Sequence, residues 1–278
     1  MVDGLFVSNF VGKSAFAAVN LIMPFLMGIS ALGFMIGTGG SAIVAKTLGE
    51  GKIENANEYF SMLVYITAIG GIIIAILSMF LVKPVAILFG ASDTLLDNCI
   101  LYGRILCISL PAFMLQNVFQ SFFVTAEKPH LGLRVIVIAG VTNMVLDFLF
   151  VAVFHLGLPG AGFATVCGEF IGGLFPLFYF GRKNSSLLKL GKTHFHGRIL
   201  LKTCTNGSSE LMTNLSSSVV NALYNMQLMK FAGEDGVAAY GTIMYVNFIF
   251  VSIFFGYAIG SAPIVSYHYG AGNHDELK

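Results

Sequence analysis

The chain has 278 residues, 56% of them hydrophobic and 10% charged, where a soluble domain carries roughly 25% charged. So few polar groups cannot clothe a water-exposed surface, which makes lipid the expected surroundings. A net charge of +1 with no basic stripe excludes nucleic acid as a partner.

A spanning helix needs roughly 20 mostly apolar residues, and lipid tolerates only helices or closed barrels. The apolar runs here are too long for barrel strands. A short stub at 2–12 precedes expected spans at 15–46, 57–82, 95–125, 132–155, 160–181, 204–229 and 237–268. Turn formers and charges separate them: Gly49-Glu50-Gly51-Lys52, Lys83-Pro84, Glu127-Lys128-Pro129, Leu158-Pro159-Gly160 and Gly233-Glu234-Asp235-Gly236. Pro24, Pro111, Pro176 and Pro263 fall inside spans, where each removes a backbone hydrogen bond and should bend its helix. Basic residues sort by alternate loops. One set holds Lys46, Lys52, Lys128, Arg134, Arg182, Lys183, Lys189, Lys192, Arg198, Lys202 and Lys278; the other holds only Lys13, Lys83 and Lys230. The richer set should be cytoplasmic. The basic stretch after 181 reads as a cytoplasmic linker, 182–203, between a first lobe, 1–181, and the start of a second, 204–278.

Shifting the chain by 221 positions aligns 12–51 with 233–272 without a gap. Identical pairs include Gly12/Gly233, Ala17/Ala238, Ala18/Ala239, Met23/Met244, Gly39/Gly260, Gly49/Gly270 and Gly51/Gly272. The shift crosses an even number of spans, so the copies share one orientation. That is the parallel repeat of a transporter built from two similar halves. On this reading the fold is an all-α polytopic membrane protein, a two-lobe transporter with six-span repeats, truncated at both ends.

Ionisable groups inside spans are costly and therefore functional candidates. Asp147 lies deep in Val-Thr-Asn-Met-Val-Leu-Asp-Phe-Leu-Phe, with Asn143 one helical turn earlier on the same face. Such a carboxyl invites a proton, a sodium ion or a cationic substrate. Glu169 lies within the next span, with Thr165 a turn before it. Gln116, Asn117 and Gln120 form a polar face suited to an aqueous cavity. The second lobe opens with Glu210 and a run of Ser and Asn; Glu210 is a second acidic candidate or a capping residue. Asp3 reads by itself as a solvated terminal residue. His194 and His196 have no acidic or cysteine neighbour in sequence, so no metal site is expected, and the four cysteines have no metal-like spacing.

Several segments carry a resemblance: Val-Asp-Gly-Leu-Phe-Val at 2–7, Ala-Ala-Val-Asn at 17–20, Ala-Lys-Thr-Leu-Gly-Glu-Gly at 45–51, Thr-Ala-Glu-Lys-Pro at 125–129, Thr-Asn-Met-Val-Leu-Asp at 142–147 and Gly-Ala-Gly-Phe-Ala-Thr at 160–165. In their order and spacing the chain resembles the multidrug and toxic compound extrusion (MATE) family, in its prokaryotic DNA-damage-inducible-like branch. The resemblance implies twelve spans in two lobes, of which this chain holds the end of the first and spans two to eight. It also implies a cation-coupled antiporter of the prokaryotic plasma membrane. Such a protein exports drugs or organic cations in exchange for protons or sodium, with no other cofactor. It raises Asp3 to the acidic position of the first span. Asp3, Asn143, Asp147 and Thr165 then form the ion-coupling set, and Gln116, Asn117, Gln120, Glu169 and Glu210 belong to the substrate cavity. Glu169 falls where relatives can carry an apolar residue. The alternatives are a flippase for a lipid-linked substrate and a membrane-embedded enzyme. The enzyme would need a nucleophile or a metal cluster at depth, and the sequence offers no such partners for His155.

Overall fold

Long apolar runs with good helix formers and few internal breakers give long helices, and the punctuation between them is largely glycine. The computed structural model describes residues 2–91, 93–273 and 276; Lys278, counted above among the basic loop residues, lies outside the described residues. The helices are α1 (Val2–Phe6), α2 (Lys13–Gly49), α3 (Ile53–Leu88), α4 (Asp93–Thr125), α5 (Pro129–Asp147), α6 (Gly157–Gly181) and α7 (Gly197–Ala271). α1 runs on as a π-helical turn, Val7–Val11, and α5 as another, Phe148–Val153. Among the described residues six helices are long and apolar enough to cross a bilayer.

The boundaries differ from the sequence reading in instructive ways. Lys83-Pro84 separates nothing: α3 runs through Pro84, although the proline supplies no donor to the turn before it. Leu158-Pro159-Gly160 is the first turn of α6, where a proline's missing N–H is one of the orphan donors anyway. The linker is shorter than 182–203, because α7 begins at Gly197. Between 204 and 268 the chain stays helical except at Gly233, whose φ of 61° and ψ of −153° break α7 into halves 197–232 and 234–271.

The repeat found in the sequence has a backbone counterpart. Gly12 and its equivalent Gly233 both take positive φ, 117° and 61°. So do Gly51 and Gly272, at 78° and 74°, which end their helices in a left-handed turn that a side chain would strain. Gly49 and Gly270 are small for a different reason. A Cβ on Gly49 would strike the backbone of Tyr267 and Ala271, and one on Gly270 would strike the backbone of Lys46. Lys46 and Tyr267 are themselves equivalents under the shift. Contacts exchanged in this way mark a two-fold axis. At the opposite end of the same helices Asn20 packs against Gly241, again its own equivalent.

Two apolar clusters fill the bundle. One gathers Val7, Phe16, Leu21, Ile22, Val82, Tyr102 and Ile105. The other, toward the basic loops, gathers Phe60, Leu63, Phe119, Phe122, Phe123 and Phe180. Phe60 meets Phe122 edge-on at 4.8 Å, and Phe119 stacks on Phe180 at 5.7 Å. Each such pair contributes about 0.5–1.5 kcal/mol beyond its buried area. Outward, α3 exposes Ile69, Ile72, Ile73, Ile76, Leu77 and Phe80. In lipid that is an ordinary face.

The linker does not hang free. Leu188 is fully buried in the second cluster. The backbone N–H of Lys189 donates to Asn57 Oδ1 at 2.6 Å, that of Gly191 to Ser61 Oγ at 3.0 Å, and that of His194 to Glu58 Oε1 at 3.1 Å. His196 Nε2 lies 3.0 Å from the same Glu58 oxygen. The sequence reading left His196 without an acidic neighbour; α3 supplies one from far along the chain. Even so, the described residues contain no group of three metal-type ligands.

Candidate functional site

Asp147 ends α5, at the step where the α-helix gives way to the π-helical turn. Asp3 sits in α1, which makes the same change four residues later. Such π-turns recur at functional sites because they re-aim side chains at small cost in length. Phe6 and Phe148 meet edge-on at 6.5 Å and hold the two segments together. The carboxyl groups of Asp3 and Asp147 are close enough for each to act on the other.

Asp147 is wholly buried, and neither of its oxygens receives a protein donor among the described residues. Asp3 receives one: Tyr102 Oη donates to its Oδ2 at 3.2 Å, while Oδ1 stays unpaired. Two facing carboxylates at membrane depth repel, so the pair calls for a proton or a metal cation between its oxygens. Tyr102 carries no mark in the sequence beyond being a tyrosine in an apolar run. Only the packing of α4 against α1 shows its hydroxyl aimed at Asp3.

Asn143 Nδ2 donates to Thr165 Oγ1 at 3.4 Å, tying α5 to α6 one turn before Asp147. Gly168 lets the helices come that close, because a Cβ there would press on Ala139 and Asn143. Asp3, Asp147, Asn143 and Thr165 therefore sit on neighbouring helices of the first lobe, with Tyr102 a fifth polar group. The pair of acids can accept a proton, and the amide and hydroxyl oxygens could complete the shell of a small cation.

The other candidates lie apart. Asn117 is buried against Gly37, with its amide nitrogen lacking a protein acceptor; Gln116 packs on Gly172, and Gln120 is half-buried farther along the same helix. Glu169 lines a small cavity of its own between α2, α4 and α6. Glu210 is half-buried on α7, with its backbone carbonyl taken by Asn214 Nδ2 at 2.8 Å. A larger cavity, about 410 Å³, opens at the basic end between α2 and α7, where Lys46, Asn206, His268 and Tyr269 line it. It contains none of the sequence-derived candidates, so volume and chemistry point to different places. The carboxylate pair is the better guide, since a buried acid without donors, as Asp147 is, needs a ligand and an open wedge between helices does not.

The second lobe reaches the site. Tyr245 of α7 packs on Gly4, one residue from Asp3, and on the ring of Phe16. Lys13 and Asp235 form an ion pair at that end. Pro24 has no N–H, which frees the carbonyl of Asn20 from its helical partner. Asn225 of α7 fills the vacancy, donating from Nδ2 at 2.9 Å.

Membrane-length helices in repeated halves, with paired acids buried among them, define a polytopic helical membrane transporter. The model of the MatE family matches residues 1–149 and 211–278. The chain belongs to the MatE family. It is 23% identical over 263 residues to the multidrug export protein MepA of Staphylococcus saprophyticus, covering 94% of this chain and 58% of that protein. It is 24% identical over 254 residues to MepA of Staphylococcus haemolyticus, covering 91% of this chain and 56% of that one. The chain thus spans somewhat over half the length of these relatives. Among solved structures it is similar to a MATE multidrug transporter, DinF-BH, solved as a ligand complex (25% identity, TM-score 0.87, 97% of this chain and 61% of that one). It is also similar in fold to a MOP superfamily transporter from Pyrococcus furiosus (24% identity, TM-score 0.88, 99% of this chain and 61% of that one). The family is one of transporters rather than enzymes.

Proposed function

We propose that the whole protein is a cation-coupled antiporter that exports drugs or organic cations by alternating access from a prokaryotic plasma membrane. The observation that carries the reading is the Asp3–Asp147 pair, facing and short of donors, with Asp147 wholly buried. A coupling ion, H⁺ or Na⁺, neutralises the pair; its departure restores charge to that wall of the lobe and strengthens the hold on a cationic substrate. Asn143, Thr165 and Tyr102 position the acids or add oxygens to the ion's shell. Gln116, Asn117 and Gln120 supply polar contacts along the substrate's path through the first lobe, and Glu210 supplies one from the second. Drug export is supported by the relatives, which are multidrug export proteins, and by the likeness to a multidrug transporter.

The test is Asp147→Asn in the whole protein reconstituted in vesicles. Efflux of a fluorescent organic cation driven by an imposed proton or sodium gradient is expected to vanish, with protein yield and thermal stability kept. Normal gradient-driven efflux by the variant would sink the proposal. Loss of lipid-linked sugar flipping, with drug efflux absent from the wild type as well, would favour the flippase instead.

A further inference from the structure

Glu169 takes no part in the Asp3–Asp147 pair. Its side chain borders a separate cavity of about 40 Å³, walled by Met23, Leu26 and Met27 of α2 and by Leu106, Leu110 and Phe113 of α4. Size limits the occupant first. A water molecule's share of liquid volume is about 30 Å³, so the cavity holds roughly one and excludes any organic cation.

Chemistry limits it further. A hard metal cation is held by several oxygens at once. Methionine, leucine and phenylalanine side chains give none, and among the described residues Ser109 is the polar side chain beside the carboxylate. The Ser109 hydroxyl is directed at the carbonyl of Leu106, 3.1 Å away. Ser109 is thus shared between that carbonyl and the carboxyl, a single partner for a charge otherwise walled by apolar side chains. A carboxylate so placed neutralises itself by taking up a proton.

We propose that Glu169 is a second ionisable site of this chain, one that takes up and releases a proton and holds no metal cation. The proposal rests on the transport reading above and adds an ion-specific site to it. The two sites differ in kind. The Asp3–Asp147 pair has amide and hydroxyl oxygens nearby and suits either ion; Glu169 has one hydroxyl oxygen beside it, too few for the shell of a metal cation.

The neighbours of Glu169 are accounted for helix by helix. α4 brings Ser109 and Tyr102, a neutral phenol whose hydroxyl serves Asp3. α2 lines the cavity with Met23, Leu26 and Met27. α5 approaches across Gly168 with neutral Asn143, and α7 brings Tyr245 on the Asp3 side. The cavity also borders the seam between the lobes. Met27 is 41% exposed, and the adjoining Gly28 packs on Ser218 and Leu215 of α7. A proton arriving at Glu169 thus changes the charge of a wall that faces the second lobe.

Infrared difference spectroscopy of the whole protein in lipid, titrated with pH, reads protonated carboxyl groups directly. The wild type should show a carboxylic-acid band that disappears in Glu169→Gln. The band should survive Asp147→Asn and remain unchanged when sodium replaces choline in the buffer. Glu169→Asp should keep a titrating band at a shifted frequency, which separates loss of the acid from loss of the fold. The proposal is overturned if Glu169→Gln removes no titrating band, or if sodium abolishes the band that it removes. Retained efflux in Asp147→Asn would undo the antiport reading and leave this band where it is, so the two ideas fail separately.

Discussion

Pro24 and Asn225 form a pair that a double-mutant cycle can isolate. Pro24 leaves the carbonyl of Asn20 without its helical donor, and Asn225, 3% exposed, replaces that donor at 2.9 Å across the seam between α2 and α7. Asn225→Ala should leave the carbonyl unpaired. Hydrogen bonds between membrane helices average about 0.6 kcal/mol and reach about 1.7, and an orphaned buried carbonyl costs about 1–3 kcal/mol, so a loss of roughly 1–1.5 kcal/mol is expected. For a chain of this size that is about 2–5 °C in Tm. Pro24→Ala restores an N–H to the turn, which can bond the Asn20 carbonyl from within α2. In that background Asn225→Ala should cost markedly less, giving a coupling energy of about 1 kcal/mol, while any packing loss at position 225 cancels in the cycle. The assay is thermal unfolding of the four whole-protein variants in detergent. Equal cost of Asn225→Ala in both backgrounds would refute the reasoning.

Other outcomes follow from single contacts. Tyr102→Phe keeps the buried ring and deletes the hydroxyl that serves Asp3; a bond to a charged group is worth about 1.5–3 kcal/mol, so gradient-driven efflux should fall roughly tenfold or more, with Tm lowered by several degrees. Gly49→Ala drives a methyl into the backbone of Tyr267 and Ala271, which cannot step aside, and should destabilise by about 1–3 kcal/mol. Gly70→Ala, with open space around it, should be neutral or slightly stabilising in the same melting assay. Asn57→Ala frees Lys189 N and the carbonyl of Leu187. Two partly exposed bonds together worth about 1 kcal/mol predict roughly fivefold faster trypsin cleavage at Lys189 and Lys192.

The sequence disclosed the helical membrane architecture, the repeat and the buried acid, because each leaves a mark along the chain: hydropathy, offset and an isolated charge. Asp147 stood out for that reason. Asp3 did not, because a carboxylate at residue 3 reads as solvated unless α1 is known to continue into a bundle. Tyr102 and the Glu58–His196 contact were illegible, since they depend on which faces of distant helices meet. The π-turns after Asp3 and Asp147 were illegible too; one extra residue in a turn leaves no periodicity to detect in so short a stretch. The docking of the linker onto α3 left no mark either. Its lysines announce solvent, but its backbone bonds and Leu188 bind it to α3, and composition averages over both.

Asn20 against Gly241 has a consequence for how such a molecule can change over generations. On a two-fold axis between identical subunits, the residue at that position would confront its own copy. Two asparagines would crowd, and two glycines would leave a gap. Joined in one polypeptide, the halves are encoded separately, so one can supply the projection and the other the recess. Gene fusion thus releases the positions on the axis from self-complementarity. It is there, more than in the lobes' peripheries, that the two halves are free to specialise as an unlike pair.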